Sequence, residues 1–333
     1  MYKNGNRNWL DLARLIFSVS VVILHVYNLV PLAGSSSVLR QLSYVGGLGV
    51  PAFFAVSGFL IFMSYDKSVS NLSYFKARFY RIYPAYFLLI LVMSFVACVL
   101  SPFSSDDLFS YLSWNLIFMN FMAPEFGGLF DGNLVSAFNG ALWSLKVEVM
   151  FYLFVPLMVW GINKVGPFLI PMAYFFGKTV QWLSPQFAEL TGVPSETISN
   201  QFPSQIPYFI SGLILYRYYN DIFKFDKLVI LICLVTYFLD VWLLEELVFT
   251  TLLIWLFVKL PSSKFKLPFG DISYGVYITH FPIIQILVLY EFDEFLGAWE
   301  FLILVLSIVF VVSYFLSIAV EKPFIKYGKR QVL

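Results

Sequence analysis

"NWLDLARLIFSVSVVILHVYNLV", Asn8 to Val30, is long and apolar enough to cross a bilayer as a helix, yet it holds Asp11, Arg14 and His25. Lipid penalises all three groups, so the segment reads as a membrane helix with one face turned towards protein or ligand. Arg14 and His25 are eleven residues apart, a spacing that returns to nearly the same helical face at about 100° per residue. Asp11 and Ser18 fall beside that stripe, while the rest of the helix is Leu, Ile, Val and Phe. The same spacing sets His25 about 16 Å along the axis from Arg14.

The rest of the chain agrees with a membrane setting. Of 333 residues, 60% are hydrophobic and only 12% charged, more apolar surface than one soluble core hides. A formal charge of +1 supplies no basic field for nucleic acid, so nucleic-acid binding is excluded as an expectation. Cys98 and Cys233 both sit in apolar runs and read as small buried hydrophobes, with no disulfide framework and no metal site. "PLAGSSS" after the first run mimics a signal-peptide cleavage site, but that run is too long and too polar for one.

Apolar spans are expected at 9-31, 47-66, 82-101, 142-163, 167-183, 205-220, 227-241, 243-260, 273-290 and 300-320. Charge in the connections tests this count, because cytoplasmic loops are enriched in Lys and Arg. Most of the 21 basic residues fall on one side, among them Lys3, Lys67, Arg78, Lys224, Lys264, Lys266 and Lys329. The opposite connections carry Asp106, Asp107, Glu125, Glu189, Glu196, Glu245 and Glu291. The expected fold class is therefore all-α: a polytopic integral membrane protein with about ten transmembrane helices and both termini cytoplasmic. Residues 1-333 read as a single transmembrane domain with no appended soluble domain, and the connections 102-141 and 184-204 as ordered outer loops.

Several further segments carry polar groups suited to chemistry. "GVPAFFAVSGFLIF" offers Ser57 beside Gly58, where close helix packing competes with a chemical role. "YFKARFYRIYPAY" sets Arg78 and Arg81 at i, i+3 on one side of a helix mouth, a pair suited to phosphate. In "ALWSLKVEVMFYLFVP", Trp143 is expected at the interface and Glu148 at a depth comparable with His25, where a carboxylate would orient the imidazole. "GDISYGVYITHFPI" places His280 about two turns into its span, either as a packed polar residue or as a supporting group.

In order along the chain, "LDLARLIFSVSVVILH", "FFAVSGFLI", "RFYRIYPAY", "LWSLKVEVMFYLFVP", "ISYGVYITHFP" and "VEKPF" resemble the acyltransferase family 3 membrane O-acyltransferases. The resemblance covers almost the whole chain. It implies an O-acetyltransferase of the bacterial inner membrane that uses cytosolic acetyl-CoA as donor substrate and binds no permanent cofactor. The acceptor implied is a sugar hydroxyl of a surface polysaccharide or lipid-linked oligosaccharide precursor, most plausibly O-antigen. His25 and Glu148 are then the expected catalytic residues and Arg14, Arg78 and Arg81 the donor-binding ones. Asp11, Ser57, Trp143 and His280 support them. Val149 stands where many relatives have a second carboxylate. Two alternatives stay open: a transporter or flippase of a lipid-linked glycan, for which no inverted repeat is visible, and an acyltransferase with another donor such as succinyl-CoA.

Overall fold

The structure, a computed structural model, describes residues 7–30, 36–259, 267 and 269–330. Lys3, Lys264, Lys266 and the stretch 31–35 of "PLAGSSS" lie outside the described residues. Among the described residues every regular element is helical: α1 (Arg7–Leu29), α2 (Ser37–Gly47), α3 (Gly49–Asp66), α4 (Asn71–Leu100), α5 (Ser105–Leu116), α6 (Trp143–Val165), α7 (Leu169–Thr191) and α8 (Ser195–Ser199). There follow α9 (Phe202–Arg217), α10 (Tyr219–Ile222), α11 (Asp226–Phe238), α12 (Glu245–Lys259), α13 (Ser273–Leu289), α14 (Phe292–Phe295), α15 (Ala298–Leu316) and α16 (Lys322–Arg330). One π-helical turn, Ser317–Glu321, joins the last two.

Within the described residues each of the ten expected apolar spans falls mainly on helix, and among those residues five stretches are long and apolar enough to cross a membrane by themselves. They are Trp9–Leu29, Ser37–Asp66, Asn71–Leu100, Gly140–Val165 and Ala298–Arg330. Outward-facing apolar stripes mark two of these as lipid-facing. Leu88, Val92, Phe95 and Val99 line one side of α4, and Leu153, Leu157 and Trp160 one side of α6, all exposed.

Two of the expected connections contain more helix than their polarity suggested. Ser104 starts α5 with a reciprocal capping box, its hydroxyl accepting from the Asp107 amide while the Asp107 carboxylate accepts from the Ser104 amide. That cap was written in "SSDD" and was hidden by reading the stretch for its loop residues. α7 runs on through Pro185 to Thr191 and stops where Gly192 takes a left-handed conformation at φ 73°.

By compactness the chain divides into two units, each assembled from separated stretches. The first comprises Met1–Ala13, Pro51–Tyr74 and Val147–Lys266. Its centre is α9, buried on nearly every side. α3 and α9 cross at reciprocal glycines: a Cβ on Gly58 would strike the backbone carbonyl of Phe209, and one on Gly212 that of Ala55. Here Gly58 provides the close helix packing that the sequence suggested for the Ser57–Gly58 pair. Phe151 of α6 stacks on Phe209 at 4.0 Å between centroids.

Lys178 of α7 donates to both carboxylate oxygens of Glu246 on α12 at 2.9 Å, and Tyr174 donates to the same carboxylate at 3.3 Å. The Lys178 ammonium lies 4.2 Å from the centroid of the Trp242 ring. Lys178 and Glu246 are thus a buried ion pair inside the unit.

The second unit comprises Arg14–Val50, Phe75–Lys146 and Leu267–Leu333. It is built round α13, which is apolar on all faces and correspondingly buried on all of them. Gly275 lets α13 approach α15, where Thr279 and Ser313 face each other. Gly46 and Gly49 bring the segment around α2 against Ser20, Val21 and Leu24 of α1. The Tyr274 hydroxyl reaches the Ile82 carbonyl of α4 at 3.0 Å. The irregular stretch before α6 is stitched to α13 as well: Gln285 donates to the carbonyls of Val135 and Ala137, and Asn139 donates to that of Ile278.

Candidate active site

The polar stripe of α1 faces α13 and the loop that leads into it. Arg14 Nη1 lies 2.6 Å from Asp271 Oδ2. One turn on, Ser18 donates to the Ser273 carbonyl at 2.8 Å. Two turns further, His25 Nδ1 lies 2.9 Å from His280 Nε2. Ser18 to His25 and Ser273 to His280 are both seven residues, so the two helices run parallel and in register. That pairing accounts for two of the ionisable groups in this apolar helix: Arg14 and His25 each meet a protein partner inside the unit instead of lipid.

The two ends of the stripe differ in chemistry. At the Arg14 end, Arg81 Nη2 also reaches Asp271 Oδ2, at 3.3 Å. The other carboxylate oxygen of Asp271 accepts from the Ser273 hydroxyl at 2.5 Å and from the Ser273 amide at 3.2 Å. Burial alone would raise the Asp271 pKa, but Arg14, Arg81 and the Ser273 bonds outweigh it and hold the carboxyl well below the usual range. Glu321, buried in the π-helical turn, lies within electrostatic range of Asp271, Arg81 and Arg14. Two guanidiniums meet here in a partly exposed cluster, their charge partly offset by Asp271 and Glu321, and guanidiniums so placed are the groups that hold phosphate. Arg78 stands one turn before Arg81 on α4 and is half-buried.

At the other end the surroundings are aromatic. Phe281 meets the His25 ring edge-on at 5.1 Å, and Tyr277 meets His280 at 5.9 Å. The Tyr277 hydroxyl is 2.5 Å from that of Ser144 and donates to the Ala141 carbonyl at 3.2 Å. His280 is fully buried, whereas His25 is partly exposed. A partly exposed imidazole with one nitrogen held by a buried neighbour is equipped for proton transfer.

One expected placement changes. Counting along each span set His25 about 16 Å past Arg14 but His280 only about two turns into its own helix, whereas the structure puts the rings in contact. α13 begins level with Ser18, well inside α1, so counting residues from the start of each span misplaces one against the other. Trp143 is half-buried at the head of α6, beside the buried Leu142 and Ser144. Glu148 accepts from the Tyr152 hydroxyl at 2.6 Å within the first unit, while within the second unit His25 Nδ1 is met by His280 Nε2 and the Val21 carbonyl. Asp11 and Ser57 are half-buried on α1 and α3 of the first unit. Asp271 and Glu321 were not singled out from the sequence, since an Asp before a helix reads as a cap and a Glu beside Lys322 as a surface charge.

The family model described as an acyltransferase domain matches residues 7–320, spanning both ends of the stripe. Nodulation protein 10 of Rhizobium leguminosarum bv. viciae is 27% identical over 72% of this chain and 68% of its own length. An O-acetyl transferase of Shigella phage Sf6 is 26% identical over 84% of this chain and 86% of its own. A putative acetyltransferase of Acidianus two-tailed virus is 27% identical over 81% of each. No solved structure matches the chain. With its motifs in order and the match running nearly end to end, the chain belongs to acyltransferase family 3.

Proposed function

We propose that this membrane acyltransferase transfers an acetyl group from cytosolic acetyl-CoA to a sugar hydroxyl of a bacterial surface polysaccharide or its lipid-linked precursor, with O-antigen the favoured acceptor. The observation that carries the reading is the stripe itself: a guanidinium cluster and a histidine pair on two parallel helices, separated by about 16 Å of helical rise. Arg78 and Arg81, with Arg14 beside them, bind the phosphates of the donor. The pantetheine arm extends along the stripe and brings the thioester to His25. His25 accepts the proton of the sugar hydroxyl as the oxygen bonds to the acetyl carbon. The C–S bond breaks, and the proton leaves with the CoA thiolate as free thiol, which balances the transfer.

The proposed topology has ten helices crossing the inner membrane and both termini in the cytoplasm. It is supported by the loop-charge alternation and by the parallel run of α1 and α13, the first and ninth of the ten expected spans. Donor and acceptor then approach from opposite faces. Purified protein in lipid nanodiscs, given acetyl-CoA and a lipid-linked saccharide, should release free CoA thiol in step with acetylated saccharide by mass spectrometry. Movement of the saccharide across vesicles without thiol release would instead identify a flippase, and transfer from succinyl-CoA alone would reassign the donor.

A further inference from the structure

The chain contains two histidines, and they touch. We infer that His280 is a positioning residue: it fixes the tautomer of His25 so that Nε2 is the unprotonated, reactive nitrogen. This rests on the acyltransferase reading above and adds how its base is prepared.

The assignment follows from which neighbours can only accept hydrogen bonds. His280 Nδ1 lies 3.2 Å from the Val276 carbonyl, and His25 Nδ1 lies 3.1 Å from the Val21 carbonyl. A carbonyl oxygen offers no proton, so each of these nitrogens must carry one to avoid opposing lone pairs. In the neutral pair this leaves both Nε2 atoms bare. His280 Nε2 then accepts from His25 Nδ1–H across the 2.9 Å contact, and that hydrogen is shared with the Val21 carbonyl. The reverse direction, His280 Nε2–H donating to His25 Nδ1, would set two lone pairs against two carbonyls. His25 Nε2 remains as the free acceptor.

The consequence is a relay in which a neutral imidazole takes the orienting place that a buried carboxylate holds in serine-hydrolase triads. When His25 Nε2 takes the hydroxyl proton, its Nδ1–H bond to His280 becomes charge-assisted and strengthens. No second charge has to be held inside the membrane to achieve this, which a carboxylate at the same place would require. The packing fits such a role: His280 is fully buried between Tyr277 and Phe281, so its ring is held, whereas His25 is partly exposed.

The test uses ¹⁵N-histidine-labelled full-length chain in lipid nanodiscs at neutral pH, where two imidazoles give the whole signal. Wild-type protein should show both Nδ1 atoms protonated, both Nε2 atoms bare, and a correlation across the His25–His280 hydrogen bond. His280→Phe keeps an aromatic ring but removes this acceptor, leaving Nδ1–H only the Val21 carbonyl; the Nε2–H tautomer of His25 should then gain population, and kcat should fall about 10²-fold or more with the acetyl-CoA KM nearly unchanged. His280→Gln returns an acceptor oxygen near the former Nε2 and should recover part of kcat and the Nδ1–H tautomer. A wild-type His25 protonated on Nε2, or full kcat in a folded His280→Phe, would overturn the inference. The expected spectra in a chain that transfers no acyl group would sink the acyltransferase reading and reduce the pair to a structural contact.

Discussion

Replacing Lys178 by Met should destabilise the first unit by about 3 kcal/mol, and the size follows from the burial of its partner. The side chains of Lys178 and Glu246 are 2% and 3% exposed. Removing one member of such a pair leaves an uncompensated charge, at a cost of about 3–5 kcal/mol. The lower end applies because Tyr174 continues to donate to the stranded carboxylate. A loss of about 3 kcal/mol shifts the folded-to-unfolded ratio roughly 150-fold. Lys178→Met/Glu246→Leu removes both charges and should return close to wild type, because an apolar pair of similar volume avoids desolvation altogether. The assay is equilibrium unfolding in mixed micelles, followed by tryptophan fluorescence, on both single variants and the double. A Lys178→Met protein within about 0.5 kcal/mol of wild type, or a double variant as unstable as the single ones, would refute the reasoning.

Arg78→Gln and Arg81→Gln should each weaken acetyl-CoA binding, by isothermal titration, more than acceptor binding, since glutamine keeps hydrogen bonds but loses the charge that complements phosphate; unchanged donor affinity in both returns them to membrane anchoring. Asp271 has its carboxyl pKa depressed, so its pairing contributes stability above the unfolded value of about 3.9 and loses it as pH falls through the lower folded value. With Glu321 within electrostatic range, the difference in thermal midpoint between wild type and Asp271→Asn should stay constant or grow from pH 8 to about 5 and shrink only in stronger acid; shrinkage already between pH 7 and about 5 contradicts this. Gly212→Leu should force α3 from α9 and cost about 1–3 kcal/mol or more, while the same change at Gly47, where nothing lies within 4 Å, should leave the unfolding midpoint nearly unmoved.

What the sequence discloses is what lies close along the chain. The common face of Arg14, Ser18 and His25 depends only on helical spacing, and it reads correctly from one segment. Their partners are 255 to 257 residues away, and no local pattern announces that Asp271, Ser273 and His280 repeat the same register on another helix. The missed depth of His280 has the same origin. A helix beginning level with Ser18 looks, in sequence, like one beginning at a surface. Gly58 announces close packing, but nothing near it in the sequence identifies Gly212, far along the chain, as its counterpart. Asp271 was hidden by its ordinary place before a helix, where a cap explains an aspartate without any guanidinium.

The central claim is that His25 is the base of an acyl transfer in which acetyl-CoA is bound elsewhere on the stripe. Single-turnover transfer of radiolabelled acetyl from acetyl-CoA to a lipid-linked saccharide, compared between wild-type and His25→Ala protein in nanodiscs, tests it most directly. The account predicts that His25→Ala inserts normally and binds acetyl-CoA with wild-type affinity, yet transfers its acetyl group at least about 10²-fold more slowly. Transfer at the wild-type rate by the correctly folded variant would contradict it.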